Sequence, residues 1–338
     1  MLARITRSSA DAAPKPGYPR GRASSSHFEV VMVVPRVVAF RPFASRDLAA
    51  AYAVFRRSLF DYLFRIGMVD AATAAEPPIE SSWPGQGPWI EHLTATAAEN
   101  WVAVDAEDRV IGWALSTERD GVLELTHFFV EPGAQAAGIG RGLLERAFPP
   151  GRGRHRVIIA TQDAGALALY LRFGVAYVTT SMDLARAPGP VELESDLIFE
   201  RLDESSAAVD AVAHVEQAVL GHRRDVDVRF LLGNRPAWLA SRNGSVVGFA
   251  FGARGATSGP IAALDPSDLP AMLDLVEREA YDAAVEELSF TVPMINRVAV
   301  SHLLAHRFRI DPFYIKVLAD EPSMRLDRWI HTGPAFIV

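Results

Sequence analysis

The chain has 338 residues, 49% of them hydrophobic, a formal net charge of −7 and no cysteine. This length predicts two domains with separate cores rather than one domain. The composition excludes disulfides and cysteine nucleophiles, and the net negative charge argues against a general nucleic-acid surface. Because no run of about 18 apolar residues occurs, we expect a soluble, cytoplasmic protein without membrane association.

Residues 1–35 combine five basic side chains with alanine, serine, proline and glycine. This composition is typical of a disordered tail. The tail could act as a basic tether for nucleic acid or membrane, or it could be an unstructured extension, with Met32 as an alternative start. We expect a disordered basic tail, with neither nucleic acid nor membrane as a partner.

The next segment begins with a strand pattern at 37–43. Ser45 is suited to cap the following helix, whose apolar side chains recur on one face. Prolines and glycines concentrated at 77–88 predict a break in helical structure. A short helix is therefore expected to begin only at Trp89.

Three strand patterns and two helix patterns complete the first half. The strands at 101–104 and 110–115 flank an acidic turn, which predicts a hairpin leading to a third strand at 123–130. Helix periodicity follows at 139–147, then the strand-like 157–160 and a further helix. A linker rich in proline and glycine is expected at 188–195.

The most informative motif of the chain is the turn that contains Gln135, Gly138 and Gly140, between the third strand and the helix at 139–147. A helix start leaves backbone N–H groups that point the same way, and an anion can satisfy them. Glycine keeps Cβ atoms out of the anion's approach and permits positive φ. The spacing fits neither a Rossmann fingerprint nor a Walker loop, so we predict a different diphosphate site.

At this turn the chain resembles the GNAT acetyltransferase superfamily, whose pyrophosphate loop reads Arg/Gln-x-x-Gly-x-Gly/Ala. Residues 163–174 resemble the family's Asn-x-x-Ala-x-x-Leu-Tyr-x-x-x-Gly helix, although Asp163 replaces Asn and Val175 replaces the aromatic after the glycine. The resemblance covers residues 36–186. It implies acetyl-CoA as cosubstrate, no metal, and an acceptor wall formed in part by the 77–93 region.

The resemblance also implies which residues hold the cosubstrate. The loop amides and the Gln135 side chain would bind the diphosphate, and the Val130 N–H would donate to the thioester carbonyl. Asp163 either keeps the role of the usual asparagine or caps the helix that follows. The complete set comprises Phe128, Val130, Gln135, Ala136, Ala137, Gly138, Ile139, Gly140, Arg141 and Asp163.

Two residues are candidates for the chemistry. Glu124 occupies the strand position of the glutamate base in GNAT enzymes, and Tyr170 occupies the position of the tyrosine that protonates departing coenzyme A. Strand alternation predicts that Glu124 shares a face with Phe128 and Val130, while His127 lies on the opposite face. The alternatives are a solvated Glu124 at a strand end and a Tyr170 that only packs.

Residues 196–338 repeat the order of elements, which indicates a second copy of the fold. Where the first copy has its glycine loop, residues 264–270 contain two acids and two prolines. Carboxylates repel a diphosphate and proline lacks an N–H, so we predict that coenzyme A does not bind there. The polar cluster at 222–227 could reach the acceptor site, but it equally fits a solvated helix start with internal ion pairs.

The predicted fold class is α/β (α+β), with two tandem GNAT-like domains at 36–187 and 196–338. Each has a mixed, mostly antiparallel central sheet flanked by helices. The first domain lacks an obvious last strand, so we expect a distant segment to complete one sheet, with 334–338 as the candidate.

The predicted function is direct N-acetyl transfer from acetyl-CoA to an amine of a small molecule or peptide, in the first domain of a monomer or homodimer. The alternative is a non-catalytic acyl-CoA-binding or scaffold protein.

Overall fold

The computed structural model describes residues 38–135 and 138–335. The expected tail at 1–35, the loop residues Ala136 and Ala137, and residues 336–338 lie outside the described residues. No helix in the described ranges is long and apolar enough to cross a membrane.

The first half of the chain alternates strands with helices on both sides of a sheet. In chain order its elements are β1 (Ala39–Pro42), α1 (Leu48–Arg65), α2 (Ala71–Ala75), α3 (Ile79–Ala95), β2 (Glu99–Val104), β3 (Val110–Arg119), β4 (Val122–Val130), α4 (Ile139–Ala147), β5 (His155–Ala160), α5 (Ala164–Arg172) and β6 (Ala176–Arg186).

The second half has a similar order of elements, with one extra strand at its end. They are β7 (Ile198–Arg201), α6 (Ser206–Leu220), α7 (Asp225–Leu232), β8 (Ala237–Arg242), β9 (Ser245–Phe251), β10 (Ile261–Ala263), α8 (Leu269–Asp282), β11 (Leu288–Pro293), α9 (Arg297–Ala305), β12 (Arg309–Ala319) and β13 (Trp329–Ile330).

The strands form an eight-stranded sheet in the order β1-β2-β3-β4-β5-β12-β6-β11 and a five-stranded sheet in the order β13-β10-β9-β8-β7. The two halves exchange strands, because β12 inserts between β5 and β6, and β6 pairs with β11. The expectation that a distant segment completes a sheet is confirmed. The inserted strand is β12, while the predicted boundary at 188–195 stays a prediction.

Two local predictions about the first half are wrong. Ser45 does not cap a helix; a short 3₁₀ turn precedes α1, and the Asp47 carboxylate accepts the N–H of Ala44 at 2.8 Å. Helix α3 also continues through Pro84 and Pro88 instead of beginning at Trp89. Its buried Trp89, Ile90 and Leu93 are at most 1% exposed, and this burial stabilises the helix against the missing N–H groups.

The large sheet separates two apolar layers around β4. Trp113 and Phe129 pack with side chains of α1 and α3 on one face, whereas Leu123 and Leu125 pack with side chains of α4 on the other. Both faces are therefore covered, and open space near β4 arises where the strand separates from its neighbour.

Candidate functional site

The glycine turn adopts the geometry that an anion site needs. Gly138 has a φ of 79° and immediately precedes α4, in the left-handed region that favours glycine. At Gly140 a Cβ would lie 3.1 Å from the Phe128 ring, so a side chain there would require the ring to move slightly. The Ile139 side chain is 2% exposed and belongs to the core, so only its backbone amide can serve a ligand.

A cleft of about 570 Å³ opens at this turn and is called the first cleft. It lies between the end of β4, the start of α4, α5 and α1. Among its lining residues are the predicted Phe128, Val130, Gln135, Gly138, Gly140, Arg141, Asp163 and Tyr170, together with Arg65 and Arg172, which the sequence interpretation missed. Three guanidinium groups thus surround the glycine turn, as a polyanionic ligand requires.

The first cleft extends into a gap between β4 and β5. These parallel strands pair only over Val122–Leu125, and Phe128 to Val130 line the cleft beyond that point. Glu131 donates its N–H to the carbonyl of Ile111 at 2.9 Å, so the N–H of Val130 points away from β3 and toward the gap. The carbonyl of Val130 accepts a hydrogen bond from the Ser58 hydroxyl at 2.8 Å.

Tyr170 and Asp163 approach the first cleft from α5. Tyr170 is 5% exposed, and its ring lies 5.6 Å from that of Phe128. Burial and the charge of Asp163 raise the pKa of Tyr170 well above its ordinary value, which keeps the hydroxyl protonated. Asp163 caps α5 by accepting the N–H of Ala166 at 2.9 Å, so the capping interpretation is confirmed.

A β-bulge corrects the predicted facing of β4. Leu115 pairs with His127 and Ser116 with Leu125, so Thr126 is an extra residue in β4. Glu124 therefore shares its face with His127 rather than with Phe128 and Val130. The predicted facing of Glu124 is wrong because simple alternation holds only along an uninterrupted strand, and Thr126 interrupts β4.

Glu124 lines neither the first cleft nor the second cleft described below. It is 6% exposed, so the solvated alternative does not apply. Burial opposes the charge of Arg224, but nearby carboxylates raise its pKa; these are Glu216, Asp227 and Glu124. The structure thus places Glu124 near a buried ionic cluster, and its role as a base stays a prediction.

That cluster corrects the interpretation of residues 222–227. Arg223 does form exposed ion pairs with Asp210 and Asp225. Arg224 and Asp227, however, are 1% exposed and buried between the two halves of the chain. Asp227 accepts hydrogen bonds from Arg119 at 2.8 and 3.0 Å, and His92 Nε2 lies 2.6 Å from it. The polar segment attaches α7 to α3 and β3.

A second cleft of about 270 Å³ lies on the face of the sheet covered by α1 and α3. It shares Leu59, Phe129 and Thr161 with the first cleft, so the two clefts meet at the β4–β5 gap. The first half contributes Gln86 of α3, as expected for the acceptor wall. Eight lining residues come from the second half: Thr257, Thr291, Phe313, Tyr314, Ile315, Gly333, Pro334 and Ala335.

The polar groups of the second cleft include Asp183 and His127. The Thr291 hydroxyl donates to Asp183 Oδ1 at 2.5 Å. Burial raises the pKa of Asp183, and the charge of Asp311 adds to this effect. His127 is 1% exposed, and burial lowers its pKa to about 3, so the ring is neutral at pH 7. The sequence interpretation missed Asp183, whose only signal was an acid in the pattern of β6.

The corresponding space in the second half is occupied by the chain itself. Strand β13 pairs with β10, and His331 donates its N–H to the carbonyl of Thr291 in β11 at 3.0 Å. Residues 329–331 thus lie between β10 and β11, and Trp329 and Ile330 are fully buried.

One cluster resembles a metal site by composition. Asp274 Oδ1 lies 2.7 Å from His302 Nε2 and 3.7 Å from His306 Nδ1. The three residues line neither cleft, and ordinary ion pairing satisfies them. The absence of a metal stays a prediction.

Comparison with known proteins agrees with this geometry. Residues 68–175 match the model of the acetyltransferase (GNAT) family. Mycothiol acetyltransferase of Kineococcus radiotolerans is 31% identical over 153 aligned residues, and the match covers 43% of this chain. The matched region spans about half (48%) of that relative's length.

Solved structures of similar fold span most of the chain. A putative acetyltransferase from Pyrococcus horikoshii superposes with a TM-score of 0.62 at 15% identity, covering 90% of this chain and 97% of its own. A GCN5-related N-acetyltransferase from Sphaerobacter thermophilus gives 0.54 at 16%, covering 83% and 95%. A tandem GNAT protein from the clavulanic acid biosynthesis pathway gives 0.50 at 14%, covering 85% and 99%.

The fold, with its divergent β4 and β5 and its glycine turn before α4, is that of an acyltransferase of the GNAT type. The predicted fold class is confirmed, including the tandem arrangement. Residues 68–175 match the GNAT acetyltransferase family, and the described residues have the GNAT fold.

Proposed function

We propose that the protein is an acetyl-CoA-dependent N-acetyltransferase that acetylates an amine in the second cleft. The meeting of the two clefts at the β4–β5 gap carries this proposal. An acetyl-CoA whose diphosphate binds at the glycine turn would place its thioester in that gap, and an amine bound in the second cleft would reach the gap from the other side. The acetyltransferase name of the relative from Kineococcus radiotolerans supports the same reaction class.

The first cleft has the groups that acetyl-CoA requires. Gly138 and Gly140 line the cleft at the start of α4, where backbone amides favour an anion, and Arg65, Arg141 and Arg172 provide positive charge for phosphates. The cosubstrate supplies the acetyl group as a thioester. The Val130 N–H, which points into the gap, is positioned to donate to the thioester carbonyl oxygen.

The transfer also requires proton movement. The ammonium form of the acceptor must lose one proton before its nitrogen attacks the thioester carbon. A C–N bond then forms, the C–S bond breaks, and the nitrogen loses a second proton. Tyr170, kept protonated by burial, donates its proton to the departing sulfur and is reprotonated by solvent. Overall, one proton is released for each amide formed.

A second candidate is a protein that binds acyl-CoA without turnover. The location of Glu124 outside both clefts favours this alternative, because the expected base is then not beside the acceptor. It retains the first cleft and assigns only packing to Tyr170. A cytoplasmic location, a monomeric or homodimeric state and a small-molecule or peptide acceptor stay predictions.

The two candidates differ in turnover. Calorimetry should show acetyl-CoA binding to the full chain, and coenzyme A release should rise with at least one amine of a broad panel. Tyr170→Phe is expected to lower kcat with unchanged acetyl-CoA affinity, and Glu124→Gln tests the predicted base directly. Binding without turnover on any amine would favour the alternative, and absence of binding would contradict both.

A further inference from the structure

The second cleft has an unbalanced charge. Among the described residues that line it, only Asp183 and His127 have ionisable side chains that could carry a charge near neutral pH. His127 is neutral, so the ionised Asp183 carboxylate is the only charge in this lining. The remaining polar side chains are hydroxyls and one amide, from Thr126, Thr161, Ser181, Thr257, Thr291, Tyr314 and Gln86. A partly buried carboxylate in such surroundings favours a cation as its partner.

The sheet register indicates how far Asp183 lies from the gap. Lys316 of β12 pairs with Ala160 of β5 on one side and with Thr180 of β6 on the other. Strands lie about 4.8 Å apart, so two spacings separate β5 from β6 by about 10 Å. Ala160 and Thr180 therefore lie at the same height in the sheet. Thr161 follows Ala160 by one position and Asp183 follows Thr180 by three, so Asp183 lies about 7 Å further along the strand direction than Thr161.

The two offsets combine to a separation of about 12 Å between the backbones at Thr161 and Asp183. An ammonium bound to Asp183 lies about 3 Å from a carboxylate oxygen, and therefore remains several ångströms from the gap. A nitrogen bound at Asp183 cannot be the nitrogen that attacks the thioester. A cation bound there belongs to a different part of the acceptor.

We propose that the acceptor is a small dication, in which one amine reaches the β4–β5 gap while a second ammonium binds Asp183. This inference rests on the proposed acetyltransferase function and adds the substrate class. Thr291 of the second half orients the Asp183 carboxylate through its 2.5 Å hydrogen bond. The second half of the chain would thereby help to select the acceptor, which gives it a role besides support of the fold.

A series of α,ω-diamines of increasing length tests the proposal, with 1-alkylamines of equal length as reference substrates. For the wild-type chain we expect kcat/KM to favour the best diamine at least tenfold over its matched monoamine. Asp183→Asn should remove this preference by raising KM for the diamine at least tenfold, with kcat within twofold. Rates with the monoamines should stay unchanged, because they do not reach Asp183.

Asp311→Asn is the matched control. Its carboxylate acts on the charge of Asp183 but does not line the second cleft, so the diamine preference should remain. Circular dichroism and the acetyl-CoA dissociation constant establish that each variant is folded. If Asp183→Asn does not fold, Asp183→Ser replaces it.

A binding measurement makes the test independent of turnover. A bis-quaternary ammonium of the best length cannot be acetylated, and calorimetry should show that it binds the wild-type chain at least tenfold more tightly than the Asp183 variant. Equal affinity for the two chains, or a wild-type preference for monoamines, would overturn the inference. If acetyl-CoA binding or turnover is absent while the dication still binds through Asp183, only the proposed acetyltransferase function fails.

Discussion

The two halves of the chain have the same order of elements but differ at one equivalent position. This position is the gap between β4 and β5 in the first half and the space between β10 and β11 in the second. In the first half the strands separate after Leu125, and two clefts meet in the opening. In the second half β13 pairs with β10, and His331 bridges to β11. The same order of elements therefore leaves an open cleft in the first half, while a short segment near residue 330 fills the corresponding space in the second half.

The two helix starts differ in the same sense. Before α4, Gly138 has no neighbouring atom within 4 Å of an added Cβ. Before α8, Asp265 accepts the N–H of Ser267 at 2.9 Å, and Asp268 pairs with Arg242 at 2.8 Å. The amide of Ser267 is thus used by one of the protein's own carboxylates, and two carboxylates lie at this helix start, which supports the prediction that coenzyme A does not bind there.

The largest effect on stability is expected from removing the Trp329 side chain of β13, the strand that lies between β10 and β11. Trp329 is fully buried, and its ring lies 6.1 Å from that of Phe249. Trp329→Ala should lower the free energy of unfolding by about 3 to 5 kcal/mol, measured by urea denaturation. Calorimetry should show that the variant still binds one acetyl-CoA per chain. If it binds two, the Trp329 side chain alone blocks a second acetyl-CoA site in the second half.

The attachment of the second half to the first is tested next. Asp227→Asn leaves Arg119 as a buried cation without its carboxylate and should destabilise the chain by about 3 kcal/mol. Asp225→Asn, at an exposed ion pair on the same helix, should cost at most about 0.5 kcal/mol. Similar losses from both substitutions would contradict a special role for the buried cluster.

The Asp227 contribution should depend on pH in one direction. Burial opposes its ionisation, but hydrogen bonds from His92 and Arg119 outweigh this and lower its pKa from 3.8 to about 2. A depressed pKa stabilises the fold fully above 3.8, and this contribution is lost as the pH falls through about 2. The stability difference between the wild type and Asp227→Asn should therefore shrink in acid, measured by urea denaturation at each pH.

A smaller effect compares two glycines of nearly identical backbone. Gly138 and Gly244 have φ values of 79° and 78°, and an added Cβ meets nothing within 4 Å at either. Alanine at each position should lower the free energy of unfolding by about 1 to 2 kcal/mol. Only Gly138→Ala should weaken acetyl-CoA binding, by about tenfold, because its Cβ enters the anion cradle. If the Gly138→Ala and Gly244→Ala variants bind acetyl-CoA equally well, the glycine turn does not bind the diphosphate.

The smallest effect concerns an exposed arginine at the first cleft. Arg141→Gln should weaken acetyl-CoA binding by at most about fivefold at low salt, and the difference should decrease as salt is added. Arg325→Gln, at an exposed ion pair of the second half, serves as its control and should leave the affinity unchanged. A loss that salt does not reduce would indicate a role other than charge.

The glycine turn and the two helices beside it could be predicted from local sequence. Gly138 and Gly140 are favoured by a positive φ and by the nearby Phe128 ring, and such backbone requirements restrict the residue type directly. Helix α6 carries local signals of the same kind, because the Ser205 side chain caps its start and Gly221, with a positive φ, ends it. Local signals of this kind act within a few residues.

The errors occurred where a local pattern was outweighed or interrupted. The bulge at Thr126 reverses the facing of Glu124 relative to Phe128, and nothing in the alternation of β4 announces it. Prolines 84 and 88 predict a break, but burial of the α3 face maintains the helix. The bulge depends on how β4 pairs with β3, and the helix depends on its packing in the core, and neither is visible in the local pattern.

The sequence by itself determined the resemblance to GNAT acetyltransferases, the order of elements and the position of the glycine turn, because these follow from short motifs, from periodicity and from backbone requirements at single residues. Only the tertiary structure decided that β12 enters the first sheet, that β13 lies between β10 and β11, and that Asp183 lines the second cleft. Strand pairing joins segments that are distant in the chain, such as β12 with β5 and β13 with β10. Its free energy depends on which edges meet, which no local pattern specifies.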